Sequence, residues 1–124
     1  MGIKLIKIST IYFLIGVALG YGMSISHIYA LSPVHVHINL LGWTALTLAG
    51  IVYYLFPNAE KSRLGKWHFW LHNLGLPIMM GSLAVMIVTK NEALGAGTAV
   101  GASLVMISVI LFTINVWKNV KPKS

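Results

Sequence analysis

Four apolar stretches, separated by short polar interruptions, account for most of the chain. They run from about Leu5 to Met23, Val34 to Phe56, Trp67 to Thr89 and Leu94 to Trp117. Each holds roughly 19 to 24 residues, enough to span ~30 Å of hydrocarbon at ~1.5 Å per residue. Backbone groups inside hydrocarbon must bond within their own segment, so each stretch is predicted to be a helix. The expected architecture is an all-α integral membrane protein with four transmembrane helices, one domain over residues 1–124. The first stretch is longer than the ~7–15 residue apolar core of a signal peptide and lacks a small-x-small cleavage site, so it is expected to be retained. The opening "MGIKLI" has no Ser or Thr at position six and does not fit a myristoylation pattern. The connections "SISHIYALS", "PNAEKSRLGK" and "KNEALG" are too short for a soluble catalytic unit, so chemistry is expected among the helices.

Composition agrees with that pattern. The chain is 57% hydrophobic and 9% charged, against about 25% charged in a soluble domain. The net charge of +7 could suggest nucleic acid, but its placement says otherwise. Lys4, Lys7, Lys61, Arg63, Lys66, Lys118, Lys121 and Lys123 all fall at one set of helix ends, and only Lys90 falls at the other. That asymmetry is a topology signal and predicts both termini in the cytoplasm, the protein lying in the inner membrane of a prokaryote. Trp67, Trp70, Trp117, Tyr53 and Tyr54 cluster at the same ends, as an aromatic belt would. The absence of cysteine excludes thiolate metal sites, c-type haem attachment and disulfides.

The chemistry-bearing signal is "SPVHVHINLLGW", residues 32–43. Ser32 suits an N-cap and Pro33 the first helical position, which puts His35 and His37 in the first two turns of the second helix. Residues two apart differ by about 200° around an α-helix and by about 3 Å along it. The two rings therefore point to opposite flanks at one depth. One tetrahedral metal cannot easily take both, whereas two separate ligand positions can. The plainer alternative is a pair of solvated interfacial histidines. Asn39, four residues beyond His35, could orient its ring.

"HVHINLLGWTALTLAGIVYYLFP", followed by a short basic loop and "WHFWLHNLGLPIMM", resembles the tenth and eleventh helices of the catalytic subunit I of haem-copper oxidases, nearest the cbb3-type oxidases and the nitric oxide reductases. Residues 35–80 carry the likeness, and the outer two helices fit only by hydropathy. The resemblance implies that His35 and His37 are axial ligands of haem iron, in that family to two different haems on opposite sides of one helix. It also implies an assembly. The family's twelve helices form three arcs of four, so three copies of a four-helix unit, a homotrimer, would complete the set, each haem b taking His35 from one copy and His37 from its neighbour. The family's copper needs three further histidines, and none stands near His35 and His37 in sequence; the arginines that hold haem propionates are missing too. A complete oxidase is therefore not implied.

The remaining candidates are weaker. His68 and His72, four apart on the third helix, share a face and suit an interfacial or hydrogen-bonding role, or a second transition-metal or quinone site. "HFW" belongs to the resemblance, and His72-Asn73 does not. His27 lies in an outer loop. "GVALG" (Gly16, Gly20) and "GTAVG" (Gly97, Gly101) are small-residue patterns for close helix packing. Pro77 is expected to kink the third helix. Three functions compete: an electron-transferring b-type cytochrome exchanging with an unknown donor, acceptor or quinone; a haem-based sensor or carrier of nitric oxide or oxygen; and a transition-metal transporter, against which the lack of intramembrane carboxylates counts.

Overall fold

A computed structural model describes residues 1–122; Lys123 and Ser124 lie outside the described residues. The first span is α1 (Gly2–Ser26). The second is assembled from α2 (Ser32–His37), a π-helical segment (Ile38–Thr44) and α3 (Ala45–Leu55). The short α4 (Pro57–Lys61) turns the chain into the third span, α5 (Arg63–Thr89). A 3-10 turn (Glu92–Leu94) then leads into the fourth, α6 (Gly95–Asn119). Four helices are thus long and apolar enough to cross a membrane, and no strand occurs among the described residues.

The caps explain where the observed ends depart from the expected ones. α5 starts four residues earlier than hydropathy suggests, because the Ser62 hydroxyl accepts the Gly65 N–H at 3.0 Å and polar Arg63 to Lys66 join the first turn. α1 stops where His27 turns into the left-handed region (φ 57°) and returns its N–H to Met23 O at 2.9 Å. Ser32 is not the cap predicted for the second span. It is already helical, Leu31 takes the cap position, and the Ser32 hydroxyl donates back to Tyr29 O at 2.7 Å. α5 continues as helix through Pro77. The π segment has no precursor in the hydropathy pattern, which reads residues 34–56 as one regular helix.

α1 lies along the whole second span, α5 lies along α6, and the two pairs meet where α2 and the π segment touch α5 and where Tyr53 of α3 meets His68 of α5. Two apolar clusters fill the interior. Val34, Ile38, Leu76, Met79, Met80 and Val105 form one, and Leu5, Leu46, Ala49, Tyr53 and Ala59 the other. The α5–α6 crossing is close because Gly101 carries no side chain: a Cβ there would fall onto the Met79 backbone. Polar ties are few and specific. Thr47 Oγ1 donates to Ser9 Oγ at 2.8 Å between α3 and α1, and Asn115 Nδ2 on α6 donates to Ala59 O at 3.0 Å. At the basic end Glu60 receives the Met1 ammonium and, at 2.9 Å, the Gly2 N–H, which hold its carboxyl below the usual range. Large apolar side chains such as Leu14, Leu48, Leu74 and Ile110 point outward, as a lipid-facing surface requires.

Candidate functional site

α2 is a single stretch of regular helix that ends at His37, so the 200° relation between the two histidines holds locally before the π segment begins. The consequence is visible in their surroundings. His35 turns toward α1 and is half-buried; His37 is exposed on the other flank, beside exposed Val36 and Leu40.

Each ring is held by one nitrogen. His35 Nδ1 lies 2.7 Å from Gly16 O on α1, and His37 Nδ1 lies 2.7 Å from Pro33 O one turn back. A carbonyl only accepts, so both Nδ1 atoms carry a proton, and in the neutral ring each Nε2 is the atom with the lone pair. Neither Nε2 bonds to a described residue. Backbone carbonyls that anchor one ring nitrogen while the other stays free are the outer support typical of metal-ligating histidines. A haem iron bound from the side asks for this donor type, and the residues present fit it.

The seat of His35 is made by the Gly16 and Gly20 pattern of α1. A Cβ at Gly20 would lie 2.8 Å from His35 Cε1, and one at Gly16 would collide with the Asn39 amide. The pattern is therefore used inside the chain. Asn39 stands in the place expected of it, with Nδ2 3.4 Å from His35 Nδ1. It cannot donate to that nitrogen, whose proton is already on Gly16 O. Asn39 Oδ1 is buried without a partner, and the group orienting the ring is the Gly16 carbonyl. Sequence reasoning did not reach that carbonyl, although the glycine bearing it was singled out for packing.

His68 and His72 do not join His35 and His37. They sit in the interior at 2% and 1% exposure, so the rings are enclosed rather than solvated, in the hydrogen-bonding role expected as one alternative. Tyr53 OH is 2.7 Å from His68 Nδ1, and the His68 ring stacks on Phe112 with centroids 4.8 Å apart. His72 Nε2 donates to Leu41 O at 2.9 Å, and its Nδ1 is buried without a partner. The two rings are 5.5 Å apart at 81°. Tyr53 likewise leaves the aromatic belt: it is fully buried, while Tyr54, Trp67, Trp70 and Trp117 are exposed. Adjacent helical residues point about 100° apart, which is the signal that separates the two tyrosines. Trp43 stacks on Phe13 at 4.4 Å, a packing role. His27 is exposed in the outer connection, its Nδ1 3.4 Å from Tyr29 OH. Among the described residues no three His, Asp or Glu side chains converge.

The family described as cytochrome c and quinol oxidase polypeptide I matches residues 24–93, which hold both histidine pairs and the π segment. The chain is 36% identical over 61 residues to a cytochrome c oxidase subunit 1 homolog of Agrobacterium tumefaciens, covering 44% of this chain and 11% of that protein. It is 31% identical over 68 residues to cytochrome c oxidase subunit 1 of Rhodobacter capsulatus, covering 50% and 13%. It is 30% identical over 84 residues to a cytochrome c oxidase subunit 1 homolog of Azorhizobium caulinodans, covering 63% and 15%. The chain thus spans less than a sixth of the length of these bacterial relatives. No solved structure matches it. With more than half of its residues inside the matched region, this multi-pass membrane chain belongs to the cytochrome c and quinol oxidase polypeptide I family.

Proposed function

We propose that the chain is a membrane cytochrome that binds haem b through His35 and His37 as a homotrimer and passes electrons. The observation that carries this reading is the pair of free Nε2 atoms on rings whose Nδ1–H groups are fixed to Gly16 O and Pro33 O. What supports sharing between copies is the placement of the two rings on opposite flanks, and the number three comes from the resemblance, whose twelve helices three four-helix units would complete. His35 faces α1 and His37 faces outward, so one copy does not bring both to one iron. A second copy supplies the missing ligand, and a closed ring of copies gives every haem one His35 and one His37.

A haem held there supplies one-electron chemistry between ferric and ferrous iron. The chain contributes the rest. Gly16 O and Pro33 O keep each imidazole in the tautomer with Nε2 bare. Val36 and Leu40, exposed beside His37, cover that flank with apolar surface when copies meet and keep water from it. The basic end lies on the cytoplasmic side, which sets the ligand level toward the outer face of an inner membrane.

The test uses mixed oligomers. His35→Ala and His37→Ala each remove one ligand from every shared haem, so each variant alone loses the six-coordinate low-spin spectrum. Co-expression of the two variants creates junctions with an intact His35 on one copy and an intact His37 on the next. Recovery of part of the low-spin signal in purified mixed trimers is expected. No recovery despite mixed oligomers means that ligation is not shared. Carbon monoxide is expected to leave the reduced wild-type spectrum nearly unchanged, and a strong shift would replace electron transfer with gas binding.

A further inference from the structure

The π segment lies directly beneath the ligand pair, and its residues are gripped from outside the helix. In an α-turn the Ala45 N–H would bond to Leu41 O. Here it bonds one residue further back, to Leu40 O. Leu41 O instead receives the His72 Nε2–H of α5 at 2.9 Å. Gly42 is pressed by Tyr12 of α1, where a Cβ would meet the Tyr12 ring at 2.6 Å. Trp43 stacks on Phe13 of the same helix. Three consecutive residues are thus held by α5 and α1, and the polar hold comes from one side chain.

A π-turn uses more residues per revolution than an α-turn, so it rotates everything above it relative to everything below it. Below, α3 is locked into the core through Leu46, Ala49 and Tyr53. Above, α2 carries His35 and His37. The amount of π winding therefore sets the direction in which the two rings leave the bundle. His72 is also well placed to act at a distance: it is 1% exposed, its Nδ1 has no partner, and its donation to Leu41 O is the hydrogen bond it makes among the described residues.

We infer that His72 is a positioning residue for the haem-ligand pair, acting through its Nε2–H bond to Leu41 O to hold the π segment and so the azimuth of His35 and His37. This rests on the haem reading of His35 and His37 for its spectroscopic half only; the clamp on the π segment is read without haem.

The experiment compares wild type, His72→Leu and His72→Gln as full-length protein purified from membranes. The Gln side chain carries an N–H at nearly the reach of Nε2, and Leu carries none. Amide hydrogen exchange across residues 38–45 is expected to quicken roughly tenfold in His72→Leu, the factor for about 1.4 kcal/mol. α6 should be unaffected, and His72→Gln should restore the wild-type rate. In the low-spin ferric haem, the largest electron paramagnetic g value reports the angle between the axial imidazole planes. It is expected to move in His72→Leu and to return in His72→Gln. Should His72→Leu fail to accumulate, the Gln variant decides alone: wild-type exchange and g value support the clamp. A Gln variant that departs from wild type in exchange over residues 38–45 overturns it. So does a Leu variant that loosens all four spans equally with the g value unmoved, because His72 is then only core filling. Wild-type protein without low-spin haem defeats the haem reading, while the exchange pattern still decides the clamp.

Discussion

At the scale of single residues, the four histidines of the second and third spans separate by which nitrogen is spent and on what. His35 and His37 each spend Nδ1 on a carbonyl and keep Nε2. His72 spends Nε2 on a carbonyl and leaves Nδ1 enclosed. His68 shares Nδ1 with Tyr53 OH inside the core. An imidazole that keeps one nitrogen free of protein partners can serve as a ligand, as proposed for His35 and His37, whereas His68 and His72 are enclosed in the core. This predicts the behaviour of Tyr53. Tyr53→Phe strands His68 Nδ1 in an apolar interior and should cost about 1–3 kcal/mol. A thermal or denaturant midpoint of the detergent-solubilised protein measures it, and Tyr54→Phe, at an exposed position, should leave the midpoint in place.

At the scale of elements, close helix approach is concentrated at particular glycines. Gly101 on α6 sits against the Met79 backbone of α5, whereas Gly81 on α5 faces open space. Gly101→Ala must push two helices apart and should destabilise by about 1–3 kcal/mol, the usual range for overpacking. Gly81→Ala should be neutral in the same melting assay. An equal effect of the two would mean that the α5–α6 crossing is looser than the geometry shows. The second span carries the other lesson at this scale. It is one regular helix by hydropathy and one continuous helix with a π segment in its middle in space, because a π-turn changes hydrogen-bond register without changing the polarity of any residue.

At the scale of the whole molecule, the basic residues mark one end of the bundle. Glu60, Ala59 and Gly65 bring the α1 start, the turn between the second and third spans and the α6 end together there. The chain has no native cysteine, so single-cysteine variants read orientation directly. Asn58→Cys is expected to react with an impermeant maleimide only from the cytoplasmic side. His27→Cys and Asn91→Cys, both exposed at the opposite end, are expected to react only from outside. The reverse labelling pattern would invert the proposed topology and put the ligand level near the cytoplasm.

The chain alone determined the four spans, the end that carries the charge and the opposed directions of His35 and His37. Those follow from transfer of side chains into hydrocarbon and from the fixed pitch of a helix, both of which are local properties. The likeness to oxidase subunit I was legible in "HVH", "GW" and "YYLFP" for the same reason: the residues that carry it are contiguous. Tertiary structure alone decided the rest. Gly16 and Gly20 proved to be the seat of His35, His68 and Tyr53 turned inward, and His72 came to hold the π segment. In each case a side chain's neighbour lies fifteen to thirty-one residues away along the chain. Which carbonyl a buried imidazole meets depends on how neighbouring helices cross, and helix crossing is set by the packing of whole faces rather than by any short run of residues.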